Sequence, residues 1–84
     1  MKLHLSTPQK TFPAVEVNEL TLSTEKGEVV VLPGHARMLC RIVPGKLSYR
    51  NQSESKSFQI GVGHLEIFEG ELSVLTDEVT EVVH

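Results

Sequence analysis

The chain has 84 residues, with 8 Lys or Arg and 11 Asp or Glu, which give a formal net charge of −3. This length predicts a single domain, residues 1–84, without room for a deep active site. The basic residues are scattered, which disfavours nucleic-acid binding, and the single cysteine, Cys40, excludes an internal disulfide and a structural zinc site built on thiolates. No apolar run approaches the ~20 residues that span a bilayer, and residues 1–5 lack a signal-peptide core, so we expect a soluble, cytoplasmic chain without direct membrane insertion.

Apolar residues recur in short alternating runs between turn signals, and no long 3.6-residue period is present, which indicates an all-β chain. We expect strands at residues 2–6, 15–22, 29–32, 38–43, 47–50, 58–61, 64–68, 71–75 and 79–83. The segments between them are expected to form turns and loops, at residues 7–10, 23–27, 44–45, 51–56 and 69–70. That many short strands need two packed faces, so the predicted fold class is a flattened β-sandwich or barrel of about 8–10 strands in two sheets.

The second expected strand contains a change of alternation. Val15 and Val17 share one parity, whereas Leu20 and Leu22 have the other. If all four face one core, the strand needs an extra residue near Asn18, so we predict a β-bulge and a bend there.

Residues 29–32 are four consecutive apolar residues, three of them β-branched, a pattern typical of a strand that is covered on both faces. Pro33 ends this strand, since proline fixes its own φ and offers no amide donor. Gly34 can adopt a positive φ, so we predict a type II turn at Pro33 and Gly34. His35 is therefore expected to be held at a rigid turn.

Residues that could carry chemistry are dispersed along the chain. The four histidines lie in separate elements, without the i, i+2 or i, i+4 pairing of a metal site: His4, His35, His64 and His84. Residues 61–63 read Gly-Val-Gly without a following helix, so no phosphate site is expected there. No motif places a nucleophile beside a base. We therefore predict no catalytic residue, no metal site and no cofactor.

Several segments resemble one known family. Residues 27–28 and 32–36, Gly-Glu and Leu-Pro-Gly-His-Ala, resemble the signature GE-x-G-x-LPGHA of the ε subunit of F-type ATP synthases, called δ in mitochondria. Four further segments are similar to its TPEKT, PG-x-L, GG-x-x-EV and ILAD motifs, at residues 7–11, 44–47, 63–67 and 74–77. The resemblance is specific because these segments keep their order and spacing, almost without gaps, over about residues 3–81.

The resemblance implies a non-catalytic subunit of the central stalk. In the family the amino-terminal domain is a sandwich of about ten strands that docks beside the γ subunit on the membrane rotor ring of c subunits, so that ion-driven rotation of the ring turns γ. When the family's partner contacts are assigned to the matching residues, the resemblance implies that Glu28 contacts the rotor ring and that His35, with Met38, contacts γ. It also implies a peripheral position at the inner face of the energy-transducing membrane, and apolar surface for partners, for which Phe12, Met38 and Phe68 are candidates.

The chain departs from the family pattern in two ways. Most bacterial relatives continue into a pair of helices that can restrain ATP hydrolysis and, in some, bind ATP; the sequence ends at His84, so neither property is expected of these residues. Five positions carry residues that are unusual for the family: Pro13, Val15, Val30, Arg37 and Val62. The last four are expected to bear on local backbone geometry and on the fit to partners, but not on the fold.

Two other classes of protein are compatible with an all-β chain of this size. One is a β-sandwich module that binds carbohydrate or another protein, which a row of exposed aromatic residues would support. The chain has one Tyr and no Trp, so this support is weak. The other is a small metal-dependent enzyme that uses His35 and His64.

Overall fold

The computed structural model describes residues 1–83 and contains eleven strands, with no helix in that range. None of the described residues therefore forms a helix that could cross a membrane. The strands are β1 (Lys2–Thr7), β2 (Lys10–Thr11), β3 (Val15–Glu16), β4 (Glu19–Thr24), β5 (Gly27–Val31), β6 (Met38–Ile42), β7 (Gly45–Arg50), β8 (Ser55–Ile60), β9 (Gly63–Phe68), β10 (Glu71–Thr76) and β11 (Val79–Val82).

The strands form one strongly curled sheet, in the order β11-β8-β7-β4-β6-β9-β10-β1-β2, with β5 on β4 and β3 on β1. We call β5, β4, β7, β8 and β11 the first half-sheet, and β6, β9, β10, β1, β2 and β3 the second half-sheet. The two halves are joined where β4 changes its partner from β7 to β6, at the pair Thr24 and Ile42. The second half-sheet contains a parallel pair, since Leu3 of β1 lies beside Leu72 of β10.

The core is built by alternation along each strand. Leu65 and Ile67 of β9 are buried while Glu66 between them is exposed, and Leu72 and Val74 of β10 follow the same pattern. Sixteen buried apolar residues form one cluster between the two half-sheets: Leu3, Leu5, Val17, Leu20, Leu22, Val31, Cys40, Ile42, Leu47, Tyr49, Phe58, Ile60, Leu65, Ile67, Leu72 and Val74. The predicted all-β flattened sandwich is confirmed. The number of strands is larger than expected because β2 and β3 are short strands of only two residues each.

The predicted β-bulge is wrong, although the bend at Asn18 is present. The chain instead changes partners there, because Val15 in β3 pairs with Leu3 of β1, whereas Leu20 in β4 pairs with Tyr49 of β7. A break between two strands changes the parity of the buried side chains just as an extra residue would. The alternation alone could not distinguish these two cases.

The expected loop at residues 23–27 is a tight hairpin, with only Glu25 and Lys26 outside the two strands. The buried Thr24 side chain stabilises it: its hydroxyl donates to the Gly27 carbonyl oxygen at 2.9 Å and accepts from the Lys26 amide at 3.1 Å. Polar residues can therefore continue a strand where their side chains bond to the turn beside them.

The prediction that residues 29–32 are covered on both faces is wrong. Val31 is fully buried, but Val30 is 47% exposed and Leu32, just beyond the strand, is 50% exposed. β5 pairs with β4 alone, so it is an edge strand with one face open to solvent. A run of apolar residues is also what an edge strand would show if its outer face contacts another molecule.

Candidate functional site

The turn that precedes β6 fixes the backbone of His35. The His35 amide donates to the Leu32 carbonyl oxygen at 3.1 Å, and Gly34 has a φ of 87°. A hydrogen bond from the first to the fourth residue, with a positive φ at the third, defines a type II turn. The predicted turn at Pro33 and Gly34 is thus confirmed.

The His35 side chain is held by the chain that follows it. Its Nδ1 lies 2.8 Å from the Ala36 carbonyl oxygen, so in the neutral ring Nδ1 carries the proton and donates it. Nε2 is then left as a hydrogen-bond acceptor. The ring is half-buried beside a cavity of about 160 Å³, which Ile67 and Glu69 also line.

Met38 and His35 both lie near Ile67 of β9. Met38 is half-buried, packs against the core and pairs with Ile67, which lines the same cavity as His35. On the outer side, Leu39 is 68% exposed. The structure therefore brings His35 and Met38 to one end of the molecule.

A cation and an aromatic ring lie beside this region. Arg37 is stacked over the Phe68 ring, with its guanidinium carbon 4.7 Å from the ring centroid, and Phe68 is 43% exposed. We call His35, Arg37, Met38, Leu39 and Phe68 the turn-end surface. On the outer side, the exposed apolar side chains of Leu39 and Phe68 lie near Arg37, and apolar side chains with an arginine are typical of the central part of a protein interface.

Glu28 lies away from the turn-end surface. It is the second residue of β5, whereas His35 lies beyond the opposite end of that strand. The side chain is exposed, and within residues 1–83 it forms no ion pair. Its neighbour across the hairpin is Ser23. A carboxylate of this kind is available to an external cation.

The remaining histidines are separated in the structure. His4 lies 3.5 Å from Glu71, and His64 lies in β9 between Arg41 and Leu75. His84 is outside the described residues. Within residues 1–83, no three His, Cys, Asp or Glu side chains are grouped so that they could hold a metal ion.

Two members of the turn-end surface, Arg37 and Leu39, were not among the predicted contact residues. Arg37 had a signal in the sequence, since a charge replaces the apolar residue or proline that is usual there in the resembled family. Leu39 had none, because an outward leucine in a strand cannot be told from an inward one until the register is known.

The chain matches the family model described as "ATP synthase, Delta/Epsilon chain, beta-sandwich domain" over residues 1–82. The ATP synthase epsilon chains of Citrifermentans bemidjiense and Geobacter sulfurreducens are 35% and 32% identical to it over 77 residues. Each alignment covers 92% of this chain and 56% of the relative, so the chain spans about half the length of these curated relatives.

Solved structures show the same fold. A chain of the Euglena gracilis mitochondrial ATP synthase, in a structure of OSCP/F1/c-ring, superposes with a TM-score of 0.86 at 24% identity, over 94% of this chain and 51% of that chain. A chain in the central stalk/c-ring structure of the Tetrahymena thermophila enzyme superposes with a TM-score of 0.79 at 18% identity, over 93% and 63%.

Proposed function

The chain belongs to the ATP synthase delta/epsilon family through its beta-sandwich domain, and from this membership we propose that it acts as a non-catalytic subunit in the central stalk of an F-type ATP synthase. The observation that carries the proposal is the match over nearly all of the chain, residues 1–82. In this role the domain docks beside γ on the c-ring, so that ion-driven rotation turns γ while ATP is made elsewhere in the complex. It is then peripheral at the inner face of the energy-transducing membrane.

The turn-end surface is the proposed contact with γ, through His35 and Met38. The rigid turn presents the His35 ring in one orientation, and the neighbouring Leu39 and Phe68 offer apolar area that the domain itself does not cover. A preorganised surface loses little conformational entropy when it binds, which favours a stable complex.

Glu28 is the proposed contact with the rotor ring. It lies at the other end of β5, so the two partners can be bound at the same time. An exposed carboxylate pairs with basic groups of a partner at the rim of an interface, where salt weakens the attraction.

The γ contact is tested by measuring the complex between this protein and the γ subunit encoded alongside it, by size exclusion and calorimetry. We expect a one-to-one complex that His35→Ala or Met38→Ala weakens by about tenfold or more, as for central interface residues. Glu28→Gln is the matched control and leaves the affinity unchanged. Absence of binding at high micromolar concentration, with both proteins folded, would refute the proposed contact with γ.

The ring contact is tested by docking the complex with γ onto isolated c-rings at low and high salt. Glu28→Gln is expected to weaken docking at low salt by up to about fivefold, and the difference narrows at high salt. Glu71→Gln removes the same charge from another exposed position and is the control. Equal docking of Glu28→Gln and the unmodified protein at both salt concentrations would contradict the assignment.

A further inference from the structure

A cleft of about 300 Å³ lies at the seam between the two ends of the curled sheet. β1 of the second half-sheet forms one wall, β7, β8 and β11 of the first half-sheet form the other, and residues 12–14 lie across it. None of the residues that line it belongs to the turn-end surface, and Glu28 does not line it either, so the cleft is separate from both proposed partner contacts. We call it the seam cleft.

Aromatic and aliphatic side chains line most of the seam cleft. Tyr49 and Phe58 are stacked, with ring centroids 6.1 Å apart, and Phe12 meets Phe58 edge to face at 6.3 Å. Leu3 and Leu5 of β1 line the same space. The cleft can therefore accommodate an apolar body about the size of one large side chain.

The other part of the seam cleft is polar and anionic. Glu54, Lys56 and Glu81 line it, and the Lys56 ammonium lies 3.9 Å from the Glu54 carboxylate. Glu81 has no ion pair within residues 1–83. The two carboxylates and one ammonium leave a net negative charge, with the Glu81 carboxylate available to a cation.

The Tyr49 hydroxyl is a second polar group without a protein partner. Tyr49 is only 7% exposed as a residue and lines the seam cleft; within residues 1–83 its hydroxyl has no hydrogen-bond partner and is reached by solvent. Burial raises the pKa of Tyr49, and the Glu54 carboxylate acts in the same direction. A tyrosine hydroxyl is neutral at physiological pH even at its ordinary pKa of 10.0, so this one can accept a hydrogen bond from a ligand.

We propose that the seam cleft binds a small organic cation, an apolar body that carries one primary ammonium or guanidinium group. The body lies against the Phe12, Phe58 and Leu5 side chains. The charged group pairs with the Glu81 carboxylate and donates a hydrogen bond to the Tyr49 hydroxyl. Anionic ligands are disfavoured by the two carboxylates, and the volume is at the lower limit for ligand pockets, which restricts the ligand to a small molecule.

The test compares three probes of nearly one shape: cyclohexylmethylammonium, cyclohexylmethanol and cyclohexanecarboxylate. Binding is followed by chemical-shift changes of backbone amides in the whole 84-residue chain. We expect the ammonium to bind at least about fivefold more tightly than the alcohol, as one partly desolvated ion pair provides. The carboxylate is expected to bind more weakly than the alcohol. For the ammonium, we expect the largest amide shifts at Phe12, Ala14 and residues 79–82, since Pro13 has no amide proton.

Variants separate specific recognition from partition into an apolar cleft. Glu81 is exposed, and Glu81→Gln is expected to reduce the affinity for the ammonium to that for the alcohol. Tyr49→Phe is also expected to reduce the affinity for the ammonium. Glu66→Gln removes the same charge from an exposed position of β9 that does not line the cleft, and it is expected to leave the affinity unchanged. Equal affinity for ammonium and alcohol, no effect of Glu81→Gln, or no binding at tens of millimolar would overturn the proposal.

Discussion

Thr24 and Ile42 lie side by side at the junction of the two half-sheets, and this is the pair through which β4 and β6 are joined. Two backbone hydrogen bonds flank it, from the Glu25 amide to the Arg41 carbonyl at 3.0 Å and from the Val43 amide to the Ser23 carbonyl at 3.2 Å. Beside this junction, backbone atoms of neighbouring strands approach each other closely, so the fit there should be sensitive to added atoms.

The first prediction concerns Gly63, which pairs with Ile42 on the other side of this junction. A Cβ added at Gly63 would overlap the Leu75 carbonyl oxygen and lie 2.8 Å from the Thr76 Cα, both in the backbone. We expect Gly63→Ala to lower the free energy of unfolding by about 3 kcal/mol. A Cβ added at Gly45 meets only the Ser23 side chain, whose Oγ lies 3.3 Å away, so Gly45→Ala is expected to cost less than ~1 kcal/mol. Urea denaturation checks both, and equal costs would show that the backbone at Gly63 yields easily.

The second prediction tests whether β5 is an edge strand with one buried face. Val31→Thr places a hydroxyl at a fully buried position, and we expect a loss of about 2 kcal/mol of stability. Val30→Thr makes the same isosteric change at a position that is 47% exposed, and its effect should stay within ~0.5 kcal/mol. Thermal denaturation of the pair measures the difference. Similar losses at both positions would mean that both faces of β5 are covered.

The third prediction concerns the turn at Gly34. A Cβ there meets nothing within 4 Å, so the cost of Gly34→Ala is that of a positive φ, about 1 kcal/mol or slightly more. Asparagine tolerates this conformation better, so Gly34→Asn is the control and should cost less. If His35 contacts γ as proposed, the affinity for γ should fall in the same order. An unchanged affinity in both variants would show that the turn geometry does not matter for binding.

The fourth prediction follows from the raised pKa of Tyr49, which burial causes first and the Glu54 carboxylate second. Because the folded state retains the proton after the unfolded chain has lost it, stability is complete below the ordinary pKa of 10.0 and falls as the pH rises above it. The chain has one Tyr and no Trp, so ultraviolet absorbance titrates this group directly. As the pH rises above 10.0, the Tyr49→Phe variant should lose less stability than the unmodified protein. A midpoint at or below the ordinary value would contradict the raised pKa of Tyr49.

The sequence predicted most of the fold because side chains of β7, β9 and β10 alternate cleanly between inside and outside. Leu47 and Tyr49 are buried within the strand expected at residues 47–50, and the turn at Glu69 and Gly70 has positive φ at both residues, as a two-residue hairpin favours. The errors fell where one pattern fits two structures. The parity change before Leu20 fits a bulge or a break, and the apolar run before Pro33 fits a buried strand or an edge strand.

The candidate sites were predictable to different degrees. Glu28 and His35 belong to a contiguous motif, so their place at the ends of one strand could be read from the chain. The seam cleft could not, because its residues come from opposite ends of the strand order: Leu3 and Phe12 near the start of the chain, and Glu81 near its end. Such sites depend on how the sheet curls, which local patterns do not determine.

The parallel pairing of β1 with β10 bears on how the protein is made. Leu3 precedes every other residue of the core cluster in the sequence, whereas its partner Leu72 follows all of them except Val74. The second half-sheet therefore cannot close until β10 has been made, whereas the hairpins β4–β5 and β7–β8 join residues that are close in sequence. Pairing over such a separation slows folding. During synthesis, β1 remains an unprotected strand that chaperones or neighbouring nascent chains can bind until β10 has been made.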